Sequence, residues 1–271
     1  MLRGVLILLE TLLVGMKSLT ISANEAAIAE NPDEEQPLSS VAMASLLAIS
    51  LLLGIVIFFL IPVFISRIVE NAGANNFGAN MVEGLIRLVL FVGYVWVIGK
   101  MNDIKRVFGY HGAEHMVVHA YEAREPLTIE SVRRFPAAHP RCGTSFLMTV
   151  VIVSIILFMF FPRDPFWFLL ASRIVLVPII AGISYEFIRF AGTHQDNVWI
   201  RVFNSPNLLL QDLTTRKPDD GMVEVAITAI DYAIALDDGR AVPNDDSSTL
   251  STEPYMPGTA DPDPPDTSPG F

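Results

Sequence analysis

The chain has 271 residues, of which 52% are hydrophobic and only 17% charged, and its mean hydropathy is +0.47. That is too apolar for an ordinary soluble domain of this length and places the chain among membrane proteins. The formal charge of −11 leaves no basic surface for nucleic acid, and the single cysteine, Cys142, excludes an internal disulfide.

In the first segment, 1–23, Arg3, Glu10 and Lys17 recur on nearly one helix face among leucines and valines. This pattern predicts an amphipathic helix lying along the membrane interface. A secretory signal is the rival, and the acidic Glu10 inside the apolar run opposes it. Residues 24–40 carry Glu25, Glu30, Asp33, Glu34 and Glu35 with no basic residue, which predicts an acidic linker. A transmembrane pair follows over 41–101, with spans at Val41 to Ser66 and Val82 to Met101 joined by the turn-rich "ENAGANNFGAN". A polar insert over 102–143 separates it from a transmembrane hairpin over 144–190, whose spans, Thr144 to Pro162 and Phe166 to Phe190, are tied by "FPRDPF".

Within the insert, "DIKRVFGYHGAEHMVVHAYEARE" reads as a helix ended by Pro126, "TIESVRRF" as a short helix capped by Thr128, and "PAAHPRCGT" as a loop into the third span. Residues 191–237 predict two further helices. Val223, Ile227, Ile230 and Ile234 give the second an apolar stripe suited to docking on the insert or on another protein. The remainder, 238–271, reads as a disordered, acidic, proline-rich tail. The segment from Lys100 to Arg141 holds Lys100, Lys105, Arg106, Arg124, Arg133, Arg134 and Arg141, whereas the other two links between spans have one arginine each, Arg67 and Arg163. The positive-inside rule therefore puts the insert on the cytoplasmic side, and with four spans both chain ends join it there.

In "HGAEH", His111 and His115 stand four apart, so on a helix both imidazoles project from one face toward a shared cation. Glu114 beside them completes the H-x-x-E-H order in which two histidines hold zinc and the glutamate is general base. Gly109 and Gly112 weaken the helix on which this geometry depends. His119 and Glu122 continue the face as extra ligands or orienting partners, or else as an interfacial histidine and a solvated carboxylate. In "HPRCGTS", His139 and Cys142 are candidates to close a tetrahedron with His111 and His115. Four protein ligands would make the site structural and three would leave it catalytic. Glu186, far along the chain, is a candidate distant ligand, with internal ion pairing as its other reading; His194 with Asp196 is a weaker pair. Glu83, Arg87 and Arg173 are charges inside spans, where pairing with one another or lining a transport path are the two readings.

Four blocks, "YHGAEH", "HPRCGTSF", "YEFIRFAG" and "LTTRKPDDGMVEVAITAI", run in order along the chain. Together they resemble the YqhQ family of uncharacterised bacterial membrane proteins, described as predicted metal-dependent enzymes. The resemblance covers about Arg3 to Leu236 and implies a multi-pass protein of the bacterial inner membrane with a metal site. By motif it carries over His111, Glu114, His115, His139, Cys142 and Glu186, and His119 is not part of the pattern. Family members usually begin with a glycine-rich "GGQAVIEGVMMRG" segment not found here, and often have lysine where this chain has Met116.

These readings combine into an all-α polytopic membrane protein with four spans, an interfacial N-terminal helix and a cytoplasmic helical cap. Its expected function is that of a zinc-type, hydrolytic metalloenzyme at the cytoplasmic membrane surface. The alternatives are a scaffold with a structural metal or, less favoured, a transporter or channel subunit. Expected partners are the lipid bilayer, an unspecified substrate, proteins met through the C-terminal helix, and further copies of the chain.

Overall fold

The computed structural model describes residues 2–30, 40–139, 142–194 and 197–238, and every regular element among them is helical. The acidic tail from Gly239 onward, Pro140, Arg141 and Asp196 lie outside the described residues. Three stretches, Val41–Asn71, Asn76–Ile98 and Phe166–Thr193, are long and apolar enough to cross a bilayer. The fourth expected span is the shorter helix Gly143–Phe158, 16 residues. At 1.5 Å per residue it extends about 24 Å, short of a hydrocarbon core of about 30 Å. The chain leaves the helix at Met159, ahead of Pro162 and Pro165, so the proline-rich turn begins earlier than hydropathy alone implies.

Helix α1, Leu2–Glu30, does not stop at residue 23. It runs seven residues into the expected linker, because "NEAAIAE" is alanine- and glutamate-rich and strongly helix-forming despite its charge. Helix α2, Ser40–Ile55, passes through a π turn, Val56–Leu60, into α3, Ile61–Asn71. Exposed Leu46, Ile49, Leu51 and Leu52 on α2 give it a surface suited to lipid. Helix α4, Asn76–Ile98, follows a short turn in which Gly73 adopts φ 102°, a left-handed conformation that glycine takes without a Cβ penalty.

The chain divides into two compact units, Met1–Phe91 with Thr149–Phe187, and Val92–Met148 with the described part of Ile188–Gly270. In the first, the π turn ends two residues before Pro62, which has no N–H to give to the carbonyl of Phe58 four residues back. Arg87 Nε on α4 donates to that carbonyl at 3.0 Å. Arg87 Nη2 also donates to Glu83 Oε1 at 3.0 Å, the expected i,i+4 pair. Two more arginines converge on the same carboxylate. Arg173 Nε reaches Glu83 Oε1 at 2.9 Å, and Arg163 Nη1 reaches Oε2 at 2.8 Å. Asn80 Oδ1 accepts from both of them, while Arg163 adds Ser66 Oγ and Glu70 Oε2. The charges on which a transport path was conjectured thus bind one another, and Arg163, noted in the sequence only as a lone turn cation, is fully buried at their centre.

In the second unit, α5, Asn102–Glu122, and the one-turn α6, Ile129–Val132, are as expected, with Thr128 Oγ1 accepting from Ser131 N at 3.3 Å. The chain then enters α7, Gly143–Phe158, and, past α8, Phe166–Val175, and α9, Val177–Thr193, reaches α10, Val198–Thr214, and α11, Asp220–Asp237. Helix α10 accommodates Pro206 internally, and Ser205 Oγ donates to the Val202 carbonyl that the proline leaves without its helical donor. The α11 stripe docks as the periodicity predicts. Val223 is fully buried with Met116, Val117 and Ala120 of α5, and Ile227, Ile230 and Ile234 pack against the same cluster.

Candidate metal centre

Helix α5 places His111, His115, His119 and Glu122 along one face, since positions three and four apart lie above one another. The rings of His111 and His115 have centroids 4.3 Å apart. From the loop before α7, His139 lies 5.8 Å from the His115 ring and 4.4 Å from the His119 ring. Cys142 meets His111, with Sγ 3.2 Å from Nε2. Ligand atoms of His111, His115 and Cys142 all fall within 4.8 Å of one another, as do those of His119, Glu122 and His139.

Backbone carbonyls orient three of these rings. His111 Nδ1 is 2.8 Å from the Thr214 oxygen, His115 Nδ1 is 2.6 Å from that of Ala137, and His119 Nε2 is 2.9 Å from that of Ala138. A carbonyl only accepts, so each of these nitrogens carries the proton and, in the neutral ring, the other nitrogen keeps its lone pair. Metal-ligating histidines are held in this way, by a donor bond from the far nitrogen. The loop is itself clamped. Gln211, fully buried on α10, accepts from His139 N through Oε1 at 2.7 Å and donates through Nε2 to the His139 carbonyl and to Ser145 Oγ, both at 2.8 Å.

The electrostatics favour a thiolate. Burial by itself would raise the Cys142 pKa, but hydrogen bonds from His111, His115 and Thr144 outweigh it and bring the thiol down to about 5. Burial opposes protonation of His111 in turn, yet Cys142, the Thr214 carbonyl and Glu114 together raise its pKa. Burial lowers that of His139, with help from His119 and His115 and against the pull of Glu122. A sulfur already ionised at neutral pH beside two oriented imidazoles is a borderline-soft donor set that fits zinc-type cations.

Gly109 and Gly112 have a role opposite to the expected weakness. A Cβ at Gly112 would collide with the backbone oxygen of Arg216, and one at Gly109 would lie 2.6 Å from Met222 Sδ. Gly112 lets the α10–α11 link cross α5 closely, and Arg216 N donates to the Phe108 carbonyl there at 2.8 Å, while Gly109 faces the flexible end of Met222 on α11. Gly112→Ala is expected to lower stability by about 1–3 kcal/mol, read as a fall in melting temperature. Gly143→Ala, where nothing lies within 4 Å, is the control. Equal effects at the two positions would overturn the close-crossing explanation.

With this geometry in hand, comparison with known proteins places the chain. The family described as "Protein of unknown function (DUF1385)" matches residues 1–236. The chain belongs to this family. The "Uncharacterized protein YqhQ" of Bacillus subtilis (strain 168) is 34% identical over 245 residues, 87% of this chain and 77% of the relative. No solved structure matches. The resemblance carried by the four sequence blocks is therefore a family membership, and it brings no named activity with it.

Among the residues singled out from sequence in this DUF1385 chain, His111, His115 and Cys142 come together. His139 joins His119 and Glu122 instead, which brings back His119, a residue outside the family pattern. Glu114 is exposed, one residue before buried His115. Glu186 lies on α9 in the first unit and is in neither group. His194, just past α9, is bonded to Thr193 Oγ1 and the Phe190 carbonyl. Sequence reasoning passed over Gln211 and Thr214. The signal for Gln211 is an amide directly after three leucines in "NLLLQDL".

Proposed function

We propose that this protein is a zinc-type metal-dependent enzyme of the cytoplasmic membrane surface, holding a divalent cation on His111, His115 and Cys142, with Glu114 as general base in a hydrolytic reaction. The supporting observation is the orientation of the two α5 histidines, each fixed through Nδ1 by a backbone carbonyl while a low-pKa thiol stands against them. Three protein ligands are the number found in catalytic sites, and a cation held by them would supply Lewis acidity at its open coordination position. His111 and His115 keep their Nδ1 protons on Thr214 and Ala137, which raises the donor strength of the opposite nitrogens. Glu114, exposed in the same helical turn, takes a proton from water at its carboxylate. Chain connectivity supports a location close to apolar segments, since α5 begins four residues after α4 ends and Cys142 directly precedes α7.

The test is elemental analysis of the full chain, purified in detergent without added metal, beside a His111→Ala/His115→Ala variant. Loss of one equivalent of divalent metal per chain in the variant is expected, and metal-free protein in both cases would sink the reading. Glu114→Gln should retain metal and melting temperature while slowing hydrolysis of chromogenic esters or phosphodiesters by about 10²–10⁴-fold. A structural metal that locks the insert is the second reading, favoured by the burial of Cys142 and His115. It is the better account if the wild-type, metal-loaded protein is inert toward both substrate types.

A further inference from the structure

The three ligands of the proposed centre use only part of the histidine face of α5. One turn further along, His119 and Glu122 are three residues apart, the i,i+3 spacing that aims an imidazole and a carboxylate of one helix at a shared point. His139 comes to the same place from the loop, its Nε2 3.3 Å from Glu122 Oε2 and its ring 4.4 Å from that of His119. The three ligand atoms lie within 4.8 Å of one another. Donors bound at about 2.1 Å around a tetrahedral cation are separated by about 3.4 Å, so only small side-chain adjustments are needed to close on one.

We propose that His119, Glu122 and His139 bind a second divalent cation next to the first, making the α5 face a two-cation centre. The pairing rests on the proposed function above, whereas the second site stands on its own ligands. The Ala138 carbonyl holds His119 through Nε2, so Nδ1 is the nitrogen with the lone pair. The Gln211 amide grips the His139 backbone on both sides and fixes where that ring enters. The two sites adjoin through His115 and His139, whose ring centroids are 5.8 Å apart. Their chemistry differs. The first set contains a thiolate, while the second has two imidazoles and a carboxylate and accepts harder ions such as Mn²⁺ and Co²⁺ without sulfur.

That difference gives the experiment its readout. The full chain in detergent, stripped of metal, is titrated with Co²⁺ while absorbance is followed. Two equivalents are expected, one with near-ultraviolet sulfur-to-cobalt charge transfer and one with visible ligand-field bands alone. His119→Ala/Glu122→Gln should bind one equivalent and keep the charge-transfer band. His111→Ala/Cys142→Ser should bind one equivalent without it. Glu122→Gln alone, at a side chain 38% exposed and so tolerant of change, should weaken only the sulfur-free equivalent, by roughly tenfold or more. A single wild-type equivalent, unaffected by His119→Ala/Glu122→Gln, would overturn the second site and leave the first intact. A single equivalent lost only in that variant would support the second site and overturn the first. No cobalt at all would overturn both.

Discussion

Glu83→Leu should cost this protein about 3–5 kcal/mol, enough to abolish a cooperative thermal transition in detergent or to lower its midpoint steeply. The magnitude is that of removing one partner from a buried charge cluster. Here the removed partner is shared, because Arg87, Arg163 and Arg173 all donate to the one carboxylate and all three are at most 6% exposed. Without Glu83, three guanidinium groups would remain in an apolar unit with Glu70, Asn80, Ser66, Ser172 and the Phe58 carbonyl among their remaining partners. Glu83→Gln should be nearly as damaging, since it keeps the shape and removes the charge. Size-exclusion monitored by tryptophan fluorescence after a temperature ramp is the measurement. An unshifted midpoint in Glu83→Leu would mean that water, not the carboxylate, stabilises the arginines.

Cys142→Ser should weaken the proposed sulfur-containing metal site by more than the 10–100-fold that loss of an outer-shell partner costs, because a serine hydroxyl remains protonated at neutral pH and donates no anionic sulfur. Competition against a chromogenic chelator reads the affinity directly. The melting temperature of the metal-free variant should move little, since a small polar replacement fills nearly the same volume and Thr144 remains a partner within reach. Equal affinity in wild type and variant would remove Cys142 from the ligand set and leave it as a packing residue at the entry to α7.

Much of the second unit was legible because its helices follow simple periodic rules. The i,i+4 spacing of His111 and His115, the Thr128 cap and the Val223–Ile234 stripe all describe one element's own geometry, and each is found as read. What periodicity reports is a face, not what meets it. The division of the ligands therefore escaped, because whether His139 sides with His115 or with His119 is decided by Gln211, 72 positions away. Gly109 and Gly112 were weighed as helix-weakening for the same reason: the neighbours beside their missing Cβ atoms come from α11 and from the α10–α11 link. In the first unit, charges inside spans announced a network, but Arg163 sits in a turn where a cation looks ordinary. Hydropathy located the apolar segments and misjudged the length of the third, where the chain leaves the helix ahead of its prolines.

The anchors of the metal centre have a bearing on how the protein is made. All six donor side chains have been synthesised once Cys142 has left the ribosome, together with the Ala137 and Ala138 carbonyls that orient His115 and His119, yet two of the anchoring groups arrive much later. The carbonyl that orients His111 belongs to Thr214, 103 residues on, and the amide that grips the His139 backbone belongs to Gln211. Helices α8 and α9 must be synthesised between these two events. The nascent chain therefore carries its thiol and imidazoles before His111 and the His139 backbone have their anchors, and in the proposed reading metal capture by the fully oriented set would follow the synthesis of α10.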